Sequence, residues 1–165
     1  MTRRSFITAT AAISAGGWLS ASGFEAQEKR QVFEVTKTEA EWKKQLTPDQ
    51  FRILRKHATE RAGSSPLDNE HRKGIFHCAG CELPLFRSEA KFDSRTGWPS
   101  FTSPIDKAIG TSVDRSFFST RTEVHCRRCG GHLGHVFDDG PAPTGLRYCM
   151  NGGAMTFRPA DEGRK

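Results

Sequence analysis

Five cysteines and a closely spaced pair of histidines carry most of the chemistry this sequence can do. Four of the cysteines form two C-x-x-C pairs, Cys78 with Cys81 and Cys126 with Cys129, separated by 44 residues, 82 to 125. A C-x-x-C turn puts both sulfurs on one side of a tight loop. Two such loops facing each other give four thiolates in a tetrahedron, the arrangement zinc favours. Gly80, Gly130 and Gly131 suit those turns. One zinc ion per chain held in this way is structural, because four protein ligands leave no position for water, and joining two distant hairpins contributes folding free energy. Two disulfides, or one redox-active pair, are the competing readings. Cys149 is left over. A lone thiol is most often buried and inert, but this one has Arg147 two residues before it and Asn151 two after it. A thiol at pKa ~8.5 is only a few per cent thiolate at neutral pH, whereas one near ~7 is about half thiolate, so a neighbouring guanidinium matters. His132 and His135, on H-x-x-H spacing, bracket the same segment. Singly, each of these polar residues is ordinary; with an unpaired thiol they make a nucleophile with candidate proton donors. Trp98, in Gly97-Trp98-Pro99-Ser100-Phe101, is either a core plug or an aromatic wall for a small apolar group.

The elements that must position these groups read as follows. Thr38 with Glu41, and Thr47 with Gln50, are capping-box pairs. They predict one helix to about Leu46, with Trp42 and Leu46 on its buried face. A second, opened by Pro48, runs to about Thr59 with Phe51, Leu54 and Ala58 in a stripe. Val32 to Lys37 is a short strand or an extended arm. From Gly74 the pattern changes to strands: Gly74 to Cys78, Leu83 to Phe86, Lys91 to Asp93, Ser112 to Phe118, Ser119 to Arg127, Leu133 to Phe137, Leu146 to Met150 and Ala154 to Arg158. The expected fold is mainly β: antiparallel sheets forming a barrel-like core, with short N-terminal helices and a structural zinc site of four cysteines. Twelve phenylalanines against one tyrosine suggest a phenylalanine core.

Residues 1–30 read as an export signal and flexible arm, with cleavage between 20 and 30. Arg3-Arg4 precede a mildly apolar run from Phe6 to Leu19, which resembles a bacterial twin-arginine signal. The run falls short of the ~20 apolar residues of a membrane span, so no stable membrane insertion is expected after processing. Residues 31–165 then form a single domain in the periplasm. An oxidising compartment favours disulfides, which is why the C-x-x-C pairs must be weighed as such. The net charge of +6 is dispersed, with no block of five like charges, which argues against nucleic acid as a partner.

Several fragments together resemble one family, the B-type peptide-methionine sulfoxide reductases, which act on the R epimer at sulfur. They are Cys78-Ala79-Gly80-Cys81, Lys91-Phe92-Asp93-Ser94, Gly97-Trp98-Pro99-Ser100-Phe101, the Cys126–Cys129 pair, His132-Leu133-Gly134-His135-Val136-Phe137, Asp139-Gly140-Pro141 and Arg147-Tyr148-Cys149 with Asn151. The resemblance spans roughly Val35 to Phe157. It implies antiparallel sheets with a structural zinc away from the active site, and Cys149 as nucleophile. Trp98 and Phe137 would bind the substrate, Trp98 holding the sulfoxide methyl. His132, His135 and Asn151 would orient the substrate and protonate its oxygen, and Arg147 would activate the thiolate. The implied reaction converts methionine-R-sulfoxide, in oxidised proteins or free, to methionine and leaves Cys149 as a sulfenic acid. A thioredoxin-like or other thiol then regenerates it. Two positions depart from the family pattern. Thr96 stands where many relatives carry a resolving cysteine, which implies reduction by an external thiol. Gly152 stands where relatives usually have serine. A zinc-ribbon binding module, a zinc hydrolase using the two histidines and a C-x-x-C disulfide oxidoreductase are the rival readings. The first leaves Cys149, the export signal and the Trp98 stretch unexplained, the second lacks an evident third ligand, and the third would be supported by a titratable redox potential in a cysteine pair.

Overall fold

The computed structural model describes residues 32–116 and 119–160, all within one compact unit, Val32–Lys165. The export-signal reading of residues 1–30 lies outside the described residues. Both capping boxes form. Thr38 accepts from the Glu41 N–H, while the Glu41 carboxylate accepts from the Thr38 N–H, opening α1 (Glu39–Gln45). Thr47 and Gln50 do the same for α2 (Pro48–Lys56). Each satisfies backbone donors that a helix start leaves unpaired. Trp42 and Leu46 are buried as expected. The buried face of α2 is Phe51, Ile53 and Leu54, with Ala58 beyond the helix. The helix ends three residues before the expected Thr59, because His57 turns left-handed (φ 54°) and the Ala58 N–H closes onto the Arg52 carbonyl.

Nine strands follow among the described residues: β1 (Gly74–Cys78), β2 (Pro84–Arg87), β3 (Lys91–Phe92), β4 (Ser100–Phe101), β5 (Ile109–Asp114), β6 (Arg121–Cys126), β7 (His132–Phe137), β8 (Arg147–Met150) and β9 (Met155–Pro159). Every pairing is antiparallel. One sheet has the order β2-β1-β9, the other β3-β4-β8-β7-β6-β5. The expected barrel-like closure does not form. The larger sheet ends at β3 on one side and β5 on the other, and these do not pair with each other. Closure needs a continuous staggered ladder, and β3 and β4, at two residues each, are too short to carry one round. Phenylalanines join the two sheets instead. Phe101 of β4 stacks on Phe86 of β2 at 4.3 Å between ring centroids and meets Phe76 of β1 edge-on at 5.0 Å. All three are fully buried, each contributing about 1.5–3 kcal/mol by burial. This cluster fixes β4 beside β8, and β8 carries Cys149. The Val32–Lys37 segment is an arm without ladder pairing. Its Val35 N–H donates to the Arg128 carbonyl, and Glu34 pairs with Arg127 at 2.6 Å. Gly130 (φ 66°) leaves room beneath the arm: a Cβ there would lie 2.3 Å from the Phe33 ring.

Candidate active site

Cys149 sits in the middle of the larger sheet, with His135 of β7 opposite on one side and Ser100 of β4 on the other. Strand alternation places Arg147 on the same face of β8, and Phe137 of β7 pairs with it. Over this face lies a pocket of about 140 Å³. It is lined by Trp98, Phe137, His135, Cys149 and Asn151, together with Thr59, Arg121 and Gly134. Two aromatic rings, one thiol and one imidazole facing a space of this size suit a small ligand with one apolar arm and one polar atom. Larger surface depressions exist, such as the one between Arg87 and Asp106, but none of their lining residues is a thiol.

The thiol is half-buried. Burial pushes its pKa above the ordinary thiol value; Arg147 and the hydroxyls of Thr96 and Ser100 pull it down without overcoming the burial. The activating influence read from Arg147 is therefore present but outweighed, and the resting group is a thiol. Arg147 is itself held by Asp139 through two parallel bonds of 2.8 Å, with its guanidinium 4.4 Å from the centre of the Phe137 ring. This fork keeps the cation beside the pocket rather than free in solvent.

His135 Nε2 lies 2.8 Å from Asp114 Oδ2, an oxygen also bound by Arg121 at 2.8 Å. Burial lowers the His135 pKa and the Asp114 bond raises it; burial prevails, so the ring is neutral at neutral pH. The carboxylate accepts a hydrogen bond from Nε2–H and thereby selects the tautomer whose Nδ1 can accept a proton. His132 is placed differently. Its side chain is buried outside the Cys149 pocket, with Nδ1 2.7 Å from Glu123 Oε1 and its ring 5.4 Å from that of His135. Burial pushes the Glu123 carboxyl up, but hydrogen bonds from His132, His57 and Ser112 outweigh it and hold the group ionised.

The four remaining cysteines converge. Cys78 Sγ lies 3.7 Å from Cys129 Sγ and Cys81 Sγ 3.4 Å from Cys126 Sγ, and all four sulfurs fall within 4.8 Å of one another. A disulfide needs ~2.05 Å, and none is formed: all five cysteines are free. Thiolates 2.3 Å from a central tetrahedral ion lie ~3.8 Å apart, so this donor set fits one. The thiols polarise one another: hydrogen bonding with Cys126 pushes Cys78 up and Cys81 down. Such crowding is relieved when a cation neutralises the set.

Residues 46–159 match the SelR domain family. The chain is 52% identical over 126 residues to the peptide methionine sulfoxide reductase MsrB of Agrobacterium fabrum, covering 76% of this chain and 93% of that protein. It is 48% identical over 136 residues to the MsrB of Bradyrhizobium diazoefficiens (82% and 98%) and 50% identical over 132 to that of Methanosarcina barkeri (79% and 93%). The chain belongs to the B-type peptide methionine sulfoxide reductase family.

Within this family's pattern, the two departures acquire a physical setting. Thr96 is part of a hydroxyl network beside the thiol. Ser94 Oγ lies 2.8 Å from Thr96 Oγ1 and 2.7 Å from Ser100 Oγ, and the Ser100 hydroxyl donates to the Trp98 carbonyl at 3.1 Å. Gly152 is enforced by Ser65, since a Cβ at 152 would lie 2.0 Å from Ser65 Oγ. Asn151 has both ends of its amide committed. Its Oδ1 accepts from the Glu60 N–H at 2.9 Å and its Nδ2 donates to the Leu133 carbonyl at 3.1 Å. Trp98 is held by the same peptide segment, its Nε1–H donating to the Glu60 carbonyl at 3.2 Å. Sequence reasoning missed Glu60, which no motif or periodicity marks. Its carboxylate accepts from the N–H groups of Gly152 at 2.6 Å and Gly153 at 2.9 Å. Glu60 thus ties the tryptophan wall, the buried asparagine and the turn after β8 to one residue.

Proposed function

We propose that this protein reduces methionine-R-sulfoxide, in oxidised proteins or free, to methionine, with Cys149 as nucleophile. The observation that carries this reading is a small aromatic pocket with an unpaired thiol at its wall and a carboxylate-bound imidazole on the neighbouring strand. The sulfoxide methyl packs against Trp98 and Phe137, and its oxygen faces His135. His135 Nδ1 accepts the Cys149 proton as substrate excludes water, and Asp114 stabilises the imidazolium formed. Arg147 and the Thr96 and Ser100 hydroxyls favour the thiolate once it exists. Thiolate attack at sulfur is matched by proton transfer from the imidazolium to the sulfoxide oxygen. Collapse transfers that oxygen, as hydroxyl, to Cys149: one sulfoxide and one thiol give one thioether and one sulfenic acid. Asn151 positions the pocket wall, and His132 supports His135 from behind. Because methyl and oxygen face different groups, the pocket discriminates between epimers; the assignment of R rests on the family resemblance.

Two external thiols reduce the sulfenic acid, yielding a disulfide between them, water and the resting thiol. Thr96 offers no sulfur for an internal disulfide, and the other cysteines form the metal cluster, so a thioredoxin-like or other thiol reductant is required. Intact mass after a single turnover without reductant then shows a gain of one oxygen; a loss of two hydrogens refutes external recycling. Cys78, Cys81, Cys126 and Cys129 hold a structural zinc ion, which when bound supplies a cross-link between the two knuckles. The twin arginines of the leader direct the folded protein to the periplasm, where it repairs oxidised proteins.

Epimer-resolved turnover tests the central reading. Racemic N-blocked methionine sulfoxide is incubated with the protein and dithiothreitol, with Cys149→Ser alongside. Selective loss of the R epimer, abolished in the variant, is the expected result. Turnover of neither epimer by folded protein sinks the reading.

A further inference from the structure

Glu123 lies between two imidazoles. Its Oε1 is 2.7 Å from His132 Nδ1 and 2.9 Å from His57 Nδ1. One donor atom from each of the three residues lies within 4.8 Å of the others. The residues come from three elements: His57 from the left-handed end of α2, Glu123 from β6 and His132 from β7. The helix stop at His57 is what brings its ring 5.2 Å from that of His132. The His132 side chain is 3% exposed, and its Nε2 has no hydrogen-bond partner among the described residues. The His57 side chain is 63% exposed, so the cluster has a buried wall and an open mouth. His57 and Glu123 do not line the Cys149 pocket, so nothing in the reductase chemistry requires His57.

Two imidazole nitrogens and one carboxylate oxygen are the donor set of a three-ligand zinc site with one open position. Ligand bonds of 2.0–2.1 Å at tetrahedral angles put the ligand atoms ~3.4 Å apart. The present separations are those of hydrogen bonds, so a cation asks the donor atoms to move apart by roughly half an ångström; the exposed His57 ring at the helix end can do this, whereas the His132–Glu123 pair is buried and must shift within the wall. Three cationic chains, Lys56, Arg115 and Arg121, are among the residues that line the groove. Lys56 is held by Glu39 at 2.7 Å and Arg121 by Asp114 at 2.8 Å, which leaves Arg115 as the main opposing charge, in contact with screening solvent.

We propose that His57, Glu123 and His132 form a second metal site, distinct from the cysteine cluster, that takes a divalent first-row transition cation such as zinc. A water molecule completes its coordination. Because His132 abuts His135, the site couples the availability of such a cation to the neighbourhood of the reacting thiol.

The test is calorimetric titration of zinc into the full chain with its cysteine cluster already loaded and Cys149 replaced by serine, so that no free thiol competes. One further equivalent binds. Its affinity falls at least about tenfold in His57→Asn, which tolerates the left-handed backbone but lacks the imidazole. Cobalt(II) at the same site gives ligand-field absorption without the thiolate-to-metal bands of the cysteine cluster. Absence of a further equivalent, or one bound equally well by His57→Asn, overturns the proposal. Binding is read without turnover, so this outcome is independent of the reductase reading.

Discussion

Glu60→Gln is the substitution that tests how the pocket is held. The carboxylate accepts two backbone N–H groups, from Gly152 and Gly153, and the peptide of the same residue holds Asn151 and Trp98. Hydrogen bonds to a charged group contribute about 1.5–3 kcal/mol each, and partial exposure of Glu60 places these at the lower end, so the pair is worth roughly 3 kcal/mol. Glutamine keeps one neutral acceptor oxygen worth about 1 kcal/mol, for a net loss of ~2 kcal/mol. If half of that loss is felt by Trp98 and Asn151 in the transition state, it is about 1 kcal/mol of barrier, or roughly fivefold in kcat. Alanine removes both bonds, and the same reasoning gives about tenfold or more. The assay is steady-state reduction of N-blocked methionine sulfoxide, with kcat and KM determined separately, alongside thermal melting of both variants. A merely structural role predicts a lowered melting midpoint with kcat unchanged. That outcome in Glu60→Gln would refute the claim that Glu60 positions the pocket.

Three further outcomes are expected. Burial holds the Cys149 thiol above its ordinary value, so at pH 7 the resting protein contains less thiolate than free cysteine. Its alkylation by iodoacetamide should be slower than that of free cysteine at pH 7 and should climb as pH passes ~8.5. Arg147→Ala, which removes the lowering cation, should move the curve further up; a plateau already reached below pH 7 contradicts this. Stripping metal from the cysteine cluster should lower the melting midpoint by about 10 °C or more, since such sites contribute several kcal/mol in a domain of this size. Unchanged melting of demonstrably metal-free protein would count against a structural ion. Gly152→Ser should cost about 1–3 kcal/mol by overpacking against Ser65. Adding Ser65→Gly should recover most of it: Ser65 caps the short turn Pro66–Asn69, its hydroxyl accepting from the Leu67 N–H, and glycine replaces a capping serine at a cost of a few tenths of a kcal/mol. Chemical denaturation of the single and double variants measures both, and a stable single variant refutes the steric account.

Some features were legible because their signals are local. The capping boxes at Thr38 and Thr47 satisfy their own backbone donors within four residues. The Gly74–Cys78 strand is bounded as expected, and His132–Phe137 begins one residue earlier than its pattern suggested. The Ser112 to Phe118 strand is shifted: β5 runs Ile109–Asp114, and its expected end falls in part on residues 117 and 118, outside the described residues. The paired C-x-x-C spacing announced a four-sulfur cluster, since each turn positions its two sulfurs by itself.

Tertiary pairing decided the rest. A two-residue strand shows no alternation, so Ser100–Phe101 reads as loop until the Phe76, Phe86 and Phe101 rings fix it beside β8. The barrel-like closure failed on the shortness of those same strands. Asn151 reads as a free polar group until Glu60, 91 residues away in the chain, takes its oxygen. The thiol's ionisation follows from burial, which no residue type announces. The clustering of His57, Glu123 and His132 needs a left-handed helix stop and a strand pairing to coincide. The sequence alone determined which groups could react and how the knuckles close, because those depend on neighbours a few residues apart. Which groups face one pocket, and in what protonation state, was decided only when distant strands packed and water was excluded.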